Sequence, residues 1–214
     1  MTSATSVAAT AALLQQFAQE WQAATHHPFL EAVAEGSLPA KRFDAWLAQD
    51  ALFVADLLVF QARLLARAPR LAQAVLAAGL MALEAELGWF ETHAGGRSLT
   101  LDVPRQATTA RYQALLAALE TAAYPVAMTG LWAIERAYLD AWRGALPGAP
   151  AYREFVEHWT VADFGKYVAS LERAAAQALR TSTPAVRGRA AKAFVDVARM
   201  EHAFWDMAWS ERST

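Results

Sequence analysis

Two carboxylates stand where a helix should be apolar. Around Asp50, the residues Phe43, Trp46, Leu47, Val54, Leu57 and Leu58 fall at helical spacing, which puts the acid in the middle of a core-facing stripe. Phe194, Val197, Ala198, Phe204, Trp205 and Ala208 do the same around Glu201. An ionised carboxylate costs several kcal/mol to bury unless it is paired or hydrogen-bonded. Each acid therefore has either a structural partner or a ligand. For one such residue the structural partner is the simpler account. Two of them on different helices, both among aromatics, leave the structural account and a ligand pocket evenly weighted. Paired carboxylates in an aromatic cavity suit a neutral or cationic ring carrying N–H donors, and they can serve as general acid and base. Glu135 is a third candidate, in the row Met128, Trp132, Leu139 and Trp142. The opposite face there is apolar too, so a salt bridge to an arginine is an equal reading.

Other chemistries find little footing. The chain has no cysteine, which excludes disulfides, thiolate metal sites and cysteine nucleophiles. There is no Gly-rich phosphate loop, no His-Glu-x-x-His and no Gly-x-Ser-x-Gly elbow. With a net charge of −2 and no basic stripe, nucleic-acid binding has no electrostatic footprint. Glu86 and His93 lie two helical turns apart, as in half of a diiron carboxylate site. The matching cluster on the last helix is mostly missing, since Phe194, Ala198 and Glu201 occupy its positions. His93 reads as an exposed residue before Gly95-Gly96, His26 and His27 as loop residues before Pro28, and His158, beside Trp159, either approaches the pocket or, more simply, is an exposed helical residue. No metal and no cofactor is expected.

These residues need long helices to position them. Hydrophobic residues make up 56% of the 214 and charged residues 19%, ample for one large core. No stretch alternates with period two, so no strands are expected. Breakers divide the chain into about seven helical segments: 6–26, 39–67, 69–94, 104–122, 124–143, 151–180 and 183–212. Thr183 is the expected N-cap of the last, with Pro184 in its first turn. The segments imply one all-α, single-domain helical bundle over 1–214, with 1–5 frayed. The start lacks a basic n-region and does not read as a signal peptide. The longest uncharged apolar stretch, 121–134, contains Pro125 and Gly130 and is too short to span a bilayer. No membrane partner is expected, and a cytoplasmic location is.

The ordered set His27-Pro28-Phe29, Glu35-Gly36-Ser37-Leu38-Pro39, Phe43, Gln49-Asp50, Ala107 through Tyr112, and Glu201-His202-Ala203-Phe204-Trp205 resembles the TenA/thiaminase II (TENA/THI-4) family. Tyr152, Phe155-Val156, Trp159 and Phe164 follow its Tyr-x-x-Trp-Ile-x-x-Tyr pattern loosely. The resemblance covers essentially the whole chain. It implies a haem-oxygenase-like bundle, assembled as a homo-oligomer (dimer or tetramer), with one pocket per subunit for a small-molecule aminopyrimidine. It gives Asp50 the role of holding the ring's amino group and a ring nitrogen, Glu201 a role beside the reacting methylene, and Tyr112 a place in the pocket. The family's nucleophilic cysteine position holds Val126, and tyrosine positions hold Phe53, Gly130 and Trp159. Valine cannot attack carbon, so the covalent route is closed. A cysteine-less branch implies hydrolysis of aminomethyl- or formylaminomethyl-pyrimidine to hydroxymethyl-pyrimidine. There Glu201 and Asp50 are catalytic, and Phe53, Tyr112, Val126, Gly130, Glu135 and Trp159 bind substrate. A non-catalytic binder of an aminopyrimidine or other aromatic ligand is the alternative, and a diiron oxidase on the same fold a more distant one.

Overall fold

The computed structural model describes residues 7–210. Among them the regular elements are helices: α1 (Ala8–Gln16), α2 (Ala18–Thr25), α3 (Pro28–Glu35), α4 (Ala40–Ala66), α5 (Arg70–Arg97), α6 (Ala107–Thr121), α7 (Tyr124–Gly144), α8 (Arg153–His158), α9 (Ala162–Arg180) and α10 (Pro184–Ser210). The described residues contain no strand, as period analysis anticipates. The frayed segment 1–5 and the helix end near Arg212 lie outside the described residues.

Four boundaries differ from the sequence reading. The first segment breaks at Phe17, whose φ of −115° and ψ of 38° leave the helical region. No glycine or proline marks that break. Phe17 and Trp21 instead turn toward Phe194 of α10, with ring centroids 6.1 and 5.0 Å away. Residues 28–35 form a short helix where none was expected. Its signals are present: Pro28 in the first turn, His27 accepting the Phe29 N–H through Nδ1 at 3.1 Å, and Gly36 at φ 79° closing it. The segment 151–180 divides at Trp159–Val161 into α8 and α9. Conversely, α5 runs through Gly95 and Gly96, so the loop begins only at Ser98. Thr183 caps α10 as expected, accepting the Val186 N–H at 3.3 Å.

Helix α7 is the axle of the bundle. It packs against α2, α3, α4, α6, α9 and α10, and most of its side chains are buried. Pro125 lies in its first turn, where a missing N–H costs nothing. α10 lies along α7, α4 pairs with α5, and α6 bridges α4 and α10. A cluster of indoles, Trp46, Trp142, Trp159 and Trp205, fills the centre with ring centroids 4.5–5.8 Å apart. Helix α5, a different segment from the uncharged stretch 121–134, is long and apolar enough, by length and composition, to cross a membrane. That stretch is uncharged, whereas α5 is an alanine-rich helix whose few acids barely lower its hydropathy. It packs against α4 and α9 in the bundle and leaves much of its outer face exposed.

Candidate active site

Four helices bring four carboxylates toward one region. Asp50 projects from the middle of α4 and is 1% exposed. Its Oδ2 accepts a hydrogen bond from the Tyr138 hydroxyl of α7 at 3.0 Å. Glu201, on α10 and 4% exposed, accepts from the hydroxyl of Tyr112 on α6. Gln49 holds that stretch of α6 in register, its carbonyl oxygen accepting from Thr109 Oγ1 at 2.6 Å and the Gln106 N–H at 2.9 Å. Glu135 of α7 is 6% exposed and faces Tyr167 of α9. Arg136 is not its partner: that guanidinium pairs with Asp140 and Glu172. Glu86 of α5 completes the set.

Burial sets the chemistry of three of these acids. It pushes Glu201 up to about 7, opposed by the Tyr112 hydrogen bond. It pushes Glu135 up to about 8, reinforced by the charges of Glu86 and Glu201. Burial also raises Asp50 well above the usual carboxylate range, against the Tyr138 hydrogen bond and with the help of Glu86 and Glu201. Tyr112, Tyr138 and Tyr167 are raised by burial and by the acids beside them, and so keep their protons as donors.

A cavity of about 560 Å³ opens against this cluster, bounded by α4, α5, α7, α9 and the turn between α8 and α9. Phe53, Glu135 and Trp159, all anticipated from sequence, line it. Asp50, Glu201 and Tyr112 do not line it. Asp50 accepts from the wall residue Tyr138, and Tyr112 packs on Phe53, whose ring centroid is 4.4 Å away. Val126 and Gly130 are buried but do not line the cavity. Gly130 points at α6, where an added Cβ would sit 2.7 Å from Leu119 Cδ1, and Val126 lies one turn earlier on the same row.

Sequence reasoning missed much of the mouth. Glu86 receives two N–H donors, His158 Nε2 at 2.7 Å and Trp159 Nε1 at 2.8 Å. His158 is not a free surface residue: its ring stacks on Trp89 at 4.0 Å with an interplanar angle of 3°. His93 is also engaged, with Nε2 on Glu154 at 2.9 Å and Nδ1 on the Trp89 carbonyl at 2.9 Å. Glu86 and His93 thus turn to separate partners. The adjacent pair His158-Trp159 was the available signal, since both reach one carboxylate two helices away. Among the described residues no lysine or arginine lines the cavity. Aromatic rings, acids and a histidine suit a flat ligand that is neutral or cationic.

A family model described as the TENA/THI-4/PQQC family matches residues 14–211. The Glycine max "Probable bifunctional TENA-E protein" is 32% identical over 201 residues, covering 88% of this chain and 87% of that protein. The crystal structure of a TenA homologue from Pyrococcus furiosus superposes with a TM-score of 0.89 at 28% identity, covering 94% of this chain and 99% of that one. A structure described as a TenA family transcription regulator, from Silicibacter sp. TM1040, shares the fold with a TM-score of 0.87 at 18% identity, covering 95% and 97%. The bundle is the all-α, haem-oxygenase-like fold of these neighbours.

Proposed function

Because this chain belongs to the TENA/THI-4/PQQC family, we propose that it is a thiamin-related salvage hydrolase that releases ammonia from an aminomethyl-pyrimidine without a covalent intermediate. The observation that carries the reading is the convergence of Asp50 and Glu201. They come from α4 and α10 and interact electrostatically, Asp50 held by the cavity-wall residue Tyr138 and Glu201 by Tyr112, which packs on the wall residue Phe53. A protonated Asp50 offers an O–H donor and a carbonyl acceptor side by side. That edge matches the ring nitrogen and amino group of a 4-aminopyrimidine. Tyr138 fixes which oxygen accepts.

Glu201 works near its own pKa, where a group both gives and takes protons readily. It protonates the departing nitrogen as the C–N bond breaks, then takes a proton from the water whose oxygen bonds to the methylene carbon. The products are hydroxymethyl-pyrimidine and ammonia, and Glu201 ends in its starting state. The chain has no cysteine, so water is the nucleophile this reading requires. Phe53 must move aside for the methylene to meet Glu201. A homo-oligomer, dimer or tetramer, and a cytoplasmic location belong to the same reading. Light scattering tests the first.

The deciding experiment offers the purified chain aminomethyl-, formylaminomethyl- and hydroxymethyl-pyrimidine and thiamin. Ammonia release that Glu201→Gln abolishes and Asp50→Asn weakens is the expected result. Binding without turnover would make the protein a carrier of the same ligand class. Failure of all four to bind would end the aminopyrimidine reading.

A further inference from the structure

Two sequence motifs stay outside this chemistry: His27-Pro28-Phe29, and the His202 that follows Glu201. The fold brings their histidines together. The rings of His27 and His202 lie 5.3 Å apart, and Asp206, one turn beyond His202 on α10, sits against both. His27 is buried, whereas the His202 and Asp206 side chains are 43% and 52% exposed.

The hydrogen bonds fix which ring nitrogens carry protons. His27 Nδ1 accepts the Phe29 N–H at 3.1 Å, so Nε2 carries the hydrogen and donates it to Asp206 Oδ1 at 3.1 Å. His202 Nδ1 faces the Ala23 carbonyl at 3.1 Å and must donate to it. In the neutral ring this leaves the His202 Nε2 lone pair facing Asp206 Oδ2, 3.4 Å away. Two acceptors face each other, and something positive belongs between them.

We propose that His202 Nε2 and Asp206 Oδ2 chelate a divalent transition-metal ion of the zinc class, water completing its coordination. The spacing favours an ion over a bridging proton. Charge-assisted N–H···O bonds close to roughly 2.7–2.9 Å. Metal–ligand bonds of ~2.0–2.2 Å meeting at a tetrahedral angle hold their donor atoms about 3.3 Å apart. Both ligands also have the outer support that metal ligands use. The backbone carbonyl of Ala23 orients the imidazole, and His27 holds the other carboxylate oxygen. Trp205, between them on α10, donates to the Ala24 carbonyl at 2.9 Å and fixes this stretch against α2. The negative charge of Glu31 also acts on the cluster. Imidazole with carboxylate suits zinc, nickel or copper rather than calcium or magnesium, and partial exposure gives the ion a way in.

The test is calorimetric titration of the chelator-treated full chain with Zn²⁺, alongside Co²⁺ binding followed by visible absorption. One ion per chain is expected, with tetrahedral Co²⁺ bands and a melting temperature that rises with metal. His202→Ala and Asp206→Asn, both at exposed positions the fold tolerates, should each weaken binding at least about tenfold and remove the Co²⁺ bands. Absence of saturable binding would overturn the proposal. So would equal binding by wild type and both variants, which would assign the ion to other surface histidines.

Discussion

At the closed end of the cavity each carboxylate meets a hydroxyl; at the mouth the carboxylate meets ring N–H groups. Asp50 and Glu201 accept from Tyr138 and Tyr112 and are almost wholly out of water. Glu86 has one oxygen on His158 and the other on Trp159. A tyrosine that holds its proton stabilises a buried carboxylate only in part, so burial still raises Asp50 well above the usual carboxylate range and Glu201 to about 7. Each oxygen of Glu86 already accepts a ring N–H, which ties the carboxylate to the turn between α8 and α9. The same residue type therefore divides into proton-handling groups inside and a positioning group outside, and the division follows from what faces each oxygen.

The largest effect expected is at Glu201. Glu201→Gln keeps the shape and loses the exchangeable proton, so turnover should fall by about 10²–10⁴-fold with ligand affinity little changed. Steady-state kinetics alongside a binding isotherm reads this, and an active Glu201→Gln would erase the distinction between the two ends.

Stability against pH probes the deep end without substrate. Folding raises Glu135 from 4.5 to about 8, so the folded state holds the proton more tightly than the unfolded chain does. The associated stability is fully present below pH 4.5 and is lost as pH rises through 8. Glu135→Gln carries no such loss and should be more stable than wild type at pH 8.5, on the order of 2–4 kcal/mol by urea denaturation. At pH 4 the two should match within about 1 kcal/mol; an equal gain at both values would mean that packing, and not ionisation, separates them.

The smallest effect belongs to the mouth. Glu86→Gln removes a charge that raises both Asp50 and Glu135. The pH–rate profile should move toward lower pH, with KM changing more than kcat and an overall loss of about tenfold or less. A loss as large as that of Glu201→Gln would make Glu86 a proton-handling group like those inside.

What the sequence made legible follows the same line between inside and outside. Asp50 and Glu201 stood out because each interrupts a clean apolar stripe, and the bundle buries those stripes. Glu86 did not, because α5 is rich in alanine on every face and offers no stripe to interrupt. Tyr138 and His158 act through partners on other helices, Asp50 on α4 and Glu86 on α5, which helical spacing within one segment cannot reveal. Val126 and Gly130 came from resemblance alone, and their row on α7 turns toward α6. The break at Phe17 was invisible for a similar reason. The ring that Phe17 packs on, Phe194 of α10, is distant in the chain.

Phe53 also puts a clock on this protein. Its ring lines the open cavity and packs on Tyr112, which holds Glu201, and on the proposed reading it must move before a ligand meets that acid. A ligand that has entered has not yet arrived, and the second leg waits for an aromatic ring to swing within packed surroundings. Association should then show two phases: a concentration-dependent capture, followed by a first-order approach whose rate no amount of added ligand increases.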